Sequence, residues 1–171
     1  IEGRRSVINN CLYGVDINPE AVEVAKMSLS LKLIDNYAPK DFGTVGILGS
    51  QILKGIGKNI RCGNSLVSSD IEALYPSISE NLHELQATNA FDWQTAFPEV
   101  FTKGGFDFVV GNPPYVEVKN YNVELPYMAL YIKEVYRSSK NGKIDLAVPF
   151  IERGVSLLNQ HGRLGYIIQK R

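Results

Sequence analysis

Cysteine is almost missing from this chain. Only Cys11 and Cys62 occur among its 171 residues. No CxxC pair or Cys/His ligand spacing exists, so a zinc site is not expected. The two thiols read as buried and free, in a reducing cytoplasm. His83 and His161 stand alone and read as surface or capping residues, not as catalytic ones. Surplus charge is missing too: Lys+Arg and Asp+Glu number 18 each. A pure nucleic-acid-binding module carries a basic excess, so that class is disfavoured. An enzyme whose grip on DNA lies in another domain is not. No apolar run approaches the roughly 20 residues that span a bilayer, and no signal-peptide pattern opens the chain. No membrane partner is therefore expected. No internal repeat is visible.

What remains is the composition of a folded domain. Hydrophobic residues make up 44% and charged residues 21%, enough apolar surface to build a core. Cys11 to Asp16 reads as a short strand. Asn18-Pro19-Glu20 starts a helix, with Asn as N-cap, Pro in the first turn and Glu at the positive end. That helix is expected to run to about Ile34, burying Val22, Ala25, Leu29 and Leu33 at helical spacing. Residues 36–58 are glycine-rich and read as loop. Asn59 to Gly63 reads as a second strand, and 67–104 as a long insertion. Within it, Ser79 to about Ala90 is expected to be helical, and Phe91, Trp93, Phe97 and Phe101 to pack together.

The third strand is expected over Phe106–Val110, within the buried apolar run ending at Gly111. Glu117–Glu124 reads as polar and mobile. Leu125 to about Ser138 reads as a helix carrying Met128, Tyr131, Ile132 and Val135. Asn141-Gly142-Lys143 is a break. Leu146–Asn159 reads as a helix with Phe150, Ile151, Val155 and Leu158 inward, ended by His161-Gly162. A fourth strand is expected over Arg163–Ile168. Strands alternating with helices imply an α/β fold with a mostly parallel sheet and flanking helices.

The most informative segment is Asn112-Pro113-Pro114-Tyr115, at the end of the third strand. In open α/β sheets that edge is where ligands bind. Two prolines fix φ twice and remove two N–H groups, which leaves a stiff loop rich in carbonyl acceptors. The residue before a proline is held extended, so the Asn112 amide is aimed. Tyr115 offers a flat face for stacking. Together they suit a planar ring that bears an amino group. Taken alone, the segment also reads as a Pro-rich turn.

The text GGFDFVVGNPPYVEV resembles motif IV of the S-adenosylmethionine-dependent amino-methyltransferases. It is most similar to adenine-specific DNA methyltransferases of restriction-modification systems, of the type IIG-like and type I-like kind. The resemblance extends along most of the chain, in order. Tyr13-Gly14-Val15-Asp16-Ile17-Asn18-Pro19 resembles motif II. It implies that Asp16 binds the cofactor ribose and that Ile17 lines its adenine. Gly63-Asn64-Ser65-Leu66 resembles motif III and implies that Asn64 meets the adenine amino group. Many relatives have Asp there, so Asn64 keeps the acceptor and loses the charge. Asp145–Leu158 resembles motif V, with Phe150 against the adenine. Phe150 also reads as a core residue of an amphipathic helix. Gly162–Ile168 resembles motif VI.

The resemblance thus implies a Rossmann-like methyltransferase fold, truncated at both ends. Residues 1–171 would form a partial catalytic domain. The glycine-rich motif I and a target-recognition domain find no match. Its implied cofactor is S-adenosylmethionine. Its implied partners are double-stranded DNA, through the full-length parent, and other domains of the same polypeptide. The implied chemistry is methyl transfer to the adenine amino nitrogen, with Asn112 and the Pro113 carbonyl accepting its hydrogens and Tyr115 stacking on a flipped-out base. The isolated piece is expected to be inactive and to bind cofactor weakly or not at all. Two other readings stay open: a protein-glutamine or RNA amino-methyltransferase, whose loops share this motif, and a non-catalytic α/β module.

Overall fold

Asn18 and Pro19 start a helix, as their chemistry requires. In the computed structural model, which describes residues 2–34, 58–140 and 145–169, Asn18 Oδ1 accepts from the N–H groups of Glu20 at 2.8 Å and Ala21 at 3.2 Å. The chain divides into two units, Ile1–Gly63 and Asn64–Arg171. The first contains helix α1 (Glu2–Cys11), strand β1 (Gly14–Asp16), helix α2 (Pro19–Ile34) and strand β2 (Ile60–Cys62). Val22 and Leu33 of α2 are buried, and Leu29 and Leu33 pack with Ile8 of α1. Strands β1 and β2 pair in parallel, Gly14 against Ile60 and Asp16 against Cys62.

Two expectations fail in this unit. The strand expected from Cys11 begins only at Gly14, because α1 runs through Cys11. A helix end leaves carbonyls without intrahelical partners. Here the buried Asn59 supplies one from 50 positions away, its Nδ2 donating to the Asn9 carbonyl at 2.6 Å. Nothing local signals that cap. Cys11 and Cys62 are also exposed rather than buried. They sit at the outer end of α1 and on a three-residue strand whose burial stops at Ile60. Of the loop read over 36–58, only Lys58 lies inside the described residues, and the break at 141–143 lies outside them.

The second unit contains α3 (Ile71–Leu74), α4 (Leu82–Thr88), α5 (Trp93–Ala96), α6 (Pro98–Phe101), β3 (Phe106–Gly111), α7 (Tyr121–Glu124), α8 (Pro126–Val135), α9 (Ala147–Ser156) and β4 (Leu158–Tyr166), with 3₁₀ turns at Pro76–Glu80, Val118–Asn120 and Arg137–Ser139. Its core gathers Leu66, Val67, Ile71 and Ile78 with Val118, Leu146 and the inward face of α8: Met128, Ala129, Tyr131 and Ile132. The segment read as an insertion thus supplies core residues. Its aromatics do pack. Trp93 meets Phe91 edge-on at 5.4 Å, and both Trp93 and Phe101 meet Phe106 edge-on at 5.8 Å.

The helix expected over Ser79–Ala90 is broken at Asn81. That side chain accepts from the Glu84 N–H at 3.1 Å and opens α4 afresh. Asn89, at φ 46°, closes it, a left-handed position that Asn tolerates. The stretch read as mobile, Glu117–Glu124, forms two short helical turns, Val118–Asn120 and Tyr121–Glu124, with Val118 in the core.

Strands β3 and β4 pair in parallel, with Phe106 opposite Leu158 and Gly111 opposite Tyr166. The expected helix over Leu146–Asn159 ends early, at Ser156, and β4 starts before Arg163. The cause is the Leu157 carbonyl, which accepts from the Phe106 N–H at 2.9 Å and draws the chain into the sheet. Gly162 ends no helix. It lies within β4, where the register shifts between Phe106 and Phe108. A Cβ there would come within 2.8 Å of the Phe106 carbonyl oxygen. Val155 is exposed, and the buried positions near the end of α9 are Gly154 and Leu157.

The burial expected for β3 also fails: Phe108 is 69% and Val110 80% exposed. An apolar run signals a strand covered on both faces, yet β3 pairs with β4 alone among the described residues and this face stays open. The architecture is mixed α/β with short parallel strands and helices around them.

Candidate active site

The Asn112–Tyr115 loop leaves the carboxyl end of β3 under tight constraint. Its first boundary is Gly111, whose carbonyl accepts from the Ile167 N–H at 3.0 Å. A Cβ on Gly111 would lie 3.0 Å from the Tyr166 ring. On the far side, the Val116 carbonyl accepts from the Leu146 N–H at 2.9 Å, and Val118 is buried in the core. Pro113 is buried, while Asn112 and Pro114 are exposed. The loop therefore presents the Asn112 carboxamide from a backbone fixed at both ends and stiffened by two prolines.

Tyr115 is 40% exposed, leaving part of its ring open for stacking. Its hydroxyl lies 3.2 Å from Asn112 Oδ1 and 3.1 Å from the Ile167 carbonyl oxygen. Asn112, Pro113, Pro114 and Tyr115 thus form one compact group at the end of the β3–β4 pair.

Asp16 and Ile17 lie in the first unit, at the carboxyl end of β1, and both are exposed. Asp16 Oδ1 accepts from the Asn18 N–H at 2.8 Å, which orients the carboxylate. Such a group offers about four lone-pair sites, enough to take two hydroxyl donors as well. Cys62 Sγ lies 3.5 Å from the Ile17 carbonyl oxygen.

Asn64 and Phe150 lie in the second unit. Asn64 is only 7% exposed. Its Oδ1 accepts from the Leu66 N–H at 3.0 Å, and its Nδ2 points at Met128 Sδ, 3.4 Å away. Phe150 is half-buried and packs on the core. It serves the core role that its helical spacing allowed.

A polar node locks the segment after Asn64. Tyr136 donates to the Leu66 carbonyl at 2.5 Å. Arg153 donates through Nε to Tyr136 Oη at 2.8 Å and through Nη2 to the Leu66 carbonyl at 3.2 Å. Tyr131 donates to Asp70 at 2.7 Å. Burial pushes the Tyr136 phenol above its ordinary range, although the Arg153 charge opposes the shift. Burial and the Asp70 carboxylate push Tyr131 the same way. Both phenols are thereby kept as neutral donors.

Sequence reading found none of this node, because its members lie up to 87 positions apart. It also missed Glu84, a buried carboxylate that accepts from the N–H groups of Tyr127 and Met128 at the start of α8. The Gly104-Gly105 turn before β3 was also passed over. Both have positive φ, and a Cβ on Gly105 would lie 2.6 Å from the Leu157 carbonyl oxygen.

Comparison with known proteins adds to this geometry. The profile of the Eco57I restriction-modification methylase family matches residues 10–171. The chain is 29% identical over 170 residues to the type II restriction enzyme and methyltransferase RM.Eco57I of Escherichia coli, covering 99% of this chain and 15% of that relative. It is 27% identical over 162 residues to the adenine-specific methyltransferase PglX of Streptomyces coelicolor, covering 90% of this chain and 12% of the relative. Over 69 residues it is 41% identical to the type II methyltransferase M.PaeR7I of Pseudomonas aeruginosa, covering 40% of this chain and 11% of the relative. The chain thus spans a small part of the length of these relatives. No solved structure matches it. No described helix is long and apolar enough to cross a membrane.

Proposed function

The chain belongs to the Eco57I restriction-modification methylase family, and from that membership we propose that it carries the methyl-transfer centre of a DNA adenine methyltransferase. The reaction is transfer from S-adenosylmethionine to the exocyclic amino group of adenine in DNA, within a restriction-modification enzyme. One observation carries the reading. The Asn112 carboxamide and the Tyr115 ring stand together on a rigid proline loop at the carboxyl end of a parallel strand. The adenine specificity named for PglX supports the choice of base.

The cofactor, when bound, supplies an electrophilic sulfonium methyl group. On the first unit, Asp16 would accept from its ribose hydroxyls, and Ile17 would cover an apolar ring face. The exposed, pre-oriented carboxylate fits that role. On the second unit, Asn64 Oδ1 has one acceptor lobe left beside the Leu66 N–H, and Phe150 would lend its uncovered face. The whole catalytic domain would have the Rossmann-like methyltransferase fold. Its proposed partners are double-stranded DNA and further parts of the same polypeptide.

At the reacting base, Asn112 Oδ1 and the Pro113 carbonyl would accept the two amino hydrogens. The nitrogen lone pair, otherwise delocalised into the ring, would then be localised toward the incoming methyl; the donor would leave as a neutral thioether, and the surplus proton of the methylated nitrogen would pass to solvent. Tyr115 would stack on the base once it leaves the duplex. These residues work by position and preorganised dipoles. In the intact enzyme, Asn112→Ala is expected to abolish adenine methylation, scored by mass spectrometry of the DNA, while cofactor binding persists. Asp16→Ala is expected to weaken cofactor binding in calorimetry and to lower methylation with it. Undiminished methylation by Asn112→Ala would sink the proposal. A mass shift on protein or RNA instead of DNA would redirect it.

A further inference from the structure

The Tyr115 hydroxyl stands within reach of two acceptor atoms, Asn112 Oδ1 at 3.2 Å and the Ile167 carbonyl oxygen at 3.1 Å. A phenol has one proton to give. It cannot donate to both. A backbone carbonyl can only accept, whereas a carboxamide turned by 180° presents N–H in place of oxygen at almost no steric cost. With the carboxamide so turned, both contacts can be hydrogen bonds at once: Tyr115 would donate to the Ile167 carbonyl, and Asn112 Nδ2 would donate to Tyr115 Oη.

We propose that the Tyr115 hydroxyl is a positioning group that sets the polarity of the Asn112 carboxamide, turning Oδ1 outward as the acceptor that meets the target base. The inference rests on the reading of this loop as the methyl-transfer site. An asparagine needs such a partner, because its two ends are nearly the same shape and opposite in hydrogen-bonding sense. With Oδ1 outward, the site welcomes an amino group. With Nδ2 outward, it welcomes a ring carbonyl. The hydroxyl is itself referenced to the sheet. Ile167 follows β4 directly, and its N–H donates to the Gly111 carbonyl at 3.0 Å. Tyr115 thus has two separable functions: its ring for stacking and its hydroxyl for selecting amino over oxo.

The test compares Tyr115→Phe, Tyr115→Ala and Asn112→Ala in the intact enzyme. The substrates are its DNA site and a duplex carrying hypoxanthine in place of the target adenine. Tyr115→Phe keeps the ring. It is expected to lower kcat about tenfold, the worth of one lost hydrogen bond, with KM for DNA unchanged. Its binding preference for adenine over hypoxanthine should fall by about the same factor. Tyr115→Ala should raise KM as well. A Tyr115→Phe enzyme with the parent's kcat and the parent's preference overturns the inference while leaving the site reading intact. So does a Tyr115→Phe enzyme that matches Tyr115→Ala. If Asn112→Ala methylates normally, the site reading falls and the inference falls with it.

Discussion

Glu84 is 0% exposed, and among the described residues its carboxylate has no cationic partner. Its compensation is a helix. Oε1 accepts from the N–H of Tyr127 at 2.5 Å and of Met128 at 3.3 Å, while Oε2 accepts from Asn81 Nδ2 at 3.3 Å. Tyr127 and Met128 open α8 behind Pro126, and the helix has no cap from its own N-cap residue, Leu125. A carboxylate from a distant helix thus takes the place of a local cap and also meets the positive end of the helix dipole. Replacing Glu84 with Ala strands the Tyr127 and Met128 N–H groups, one part-buried and one buried, and leaves a small cavity. Each stranded donor costs about 1–3 kcal/mol. Relief from burying a charge offsets part of that. The net expectation is a loss of about 3 kcal/mol. Glu84→Gln keeps an acceptor for the helix but sets an amide donor against Asn81, so about 1–2 kcal/mol is expected. Trp93 is the single tryptophan of the chain and packs in the same unit, so its fluorescence during urea unfolding reports on this unit directly. Glu84→Ala within about 0.5 kcal/mol of the parent, or no worse than Glu84→Gln, would refute the reasoning. It would mean that these N–H groups find other partners.

Two further outcomes follow from the same structure. Gly105 has φ +119° and no room for a Cβ against the Leu157 carbonyl, so Gly105→Ala should destabilise the β3–β4 pairing by roughly 2–4 kcal/mol. A thermal melt unchanged from the parent would show that the turn adapts. Tyr136 has a folded-state pKa raised above the ordinary 10.0. The stability it contributes is therefore complete below that pH and is lost as pH rises toward the folded value, because the unfolded chain ionises first. Tyr136→Phe should flatten the fall of the urea midpoint above about pH 10. An equally steep alkaline fall in both proteins would assign it to other groups, Tyr75 among them.

Much of the candidate site was legible in the chain itself. The Asn18-Pro19 helix start, the apolar strand before Asn112 and the two prolines act through neighbours, so their effects survive any tertiary context. The same locality explains why the four strands were placed in order although their ends were missed. Strand and helix ends depended on partners elsewhere. Asn59 finishes α1, the Leu157 carbonyl cuts α9 short for Phe106, and Asn81 restarts a helix that periodicity ran through. Burial was the least legible property. Phe108 is apolar, yet whether it is covered depends on what packs across β3.

By itself the sequence determined the chemistry on offer: an aimed amide, stiff carbonyls and an aromatic face, in an order that marks a family. Residue type and backbone stiffness are local quantities and need no fold to be read. Only the tertiary structure decided how those groups are held. It placed the Tyr115 hydroxyl between Asn112 and Ile167, 52 positions apart from the latter. It also buried Glu84 against a helix 43 positions on. A hydrogen bond depends on distance in space, and separation along the chain does not encode it.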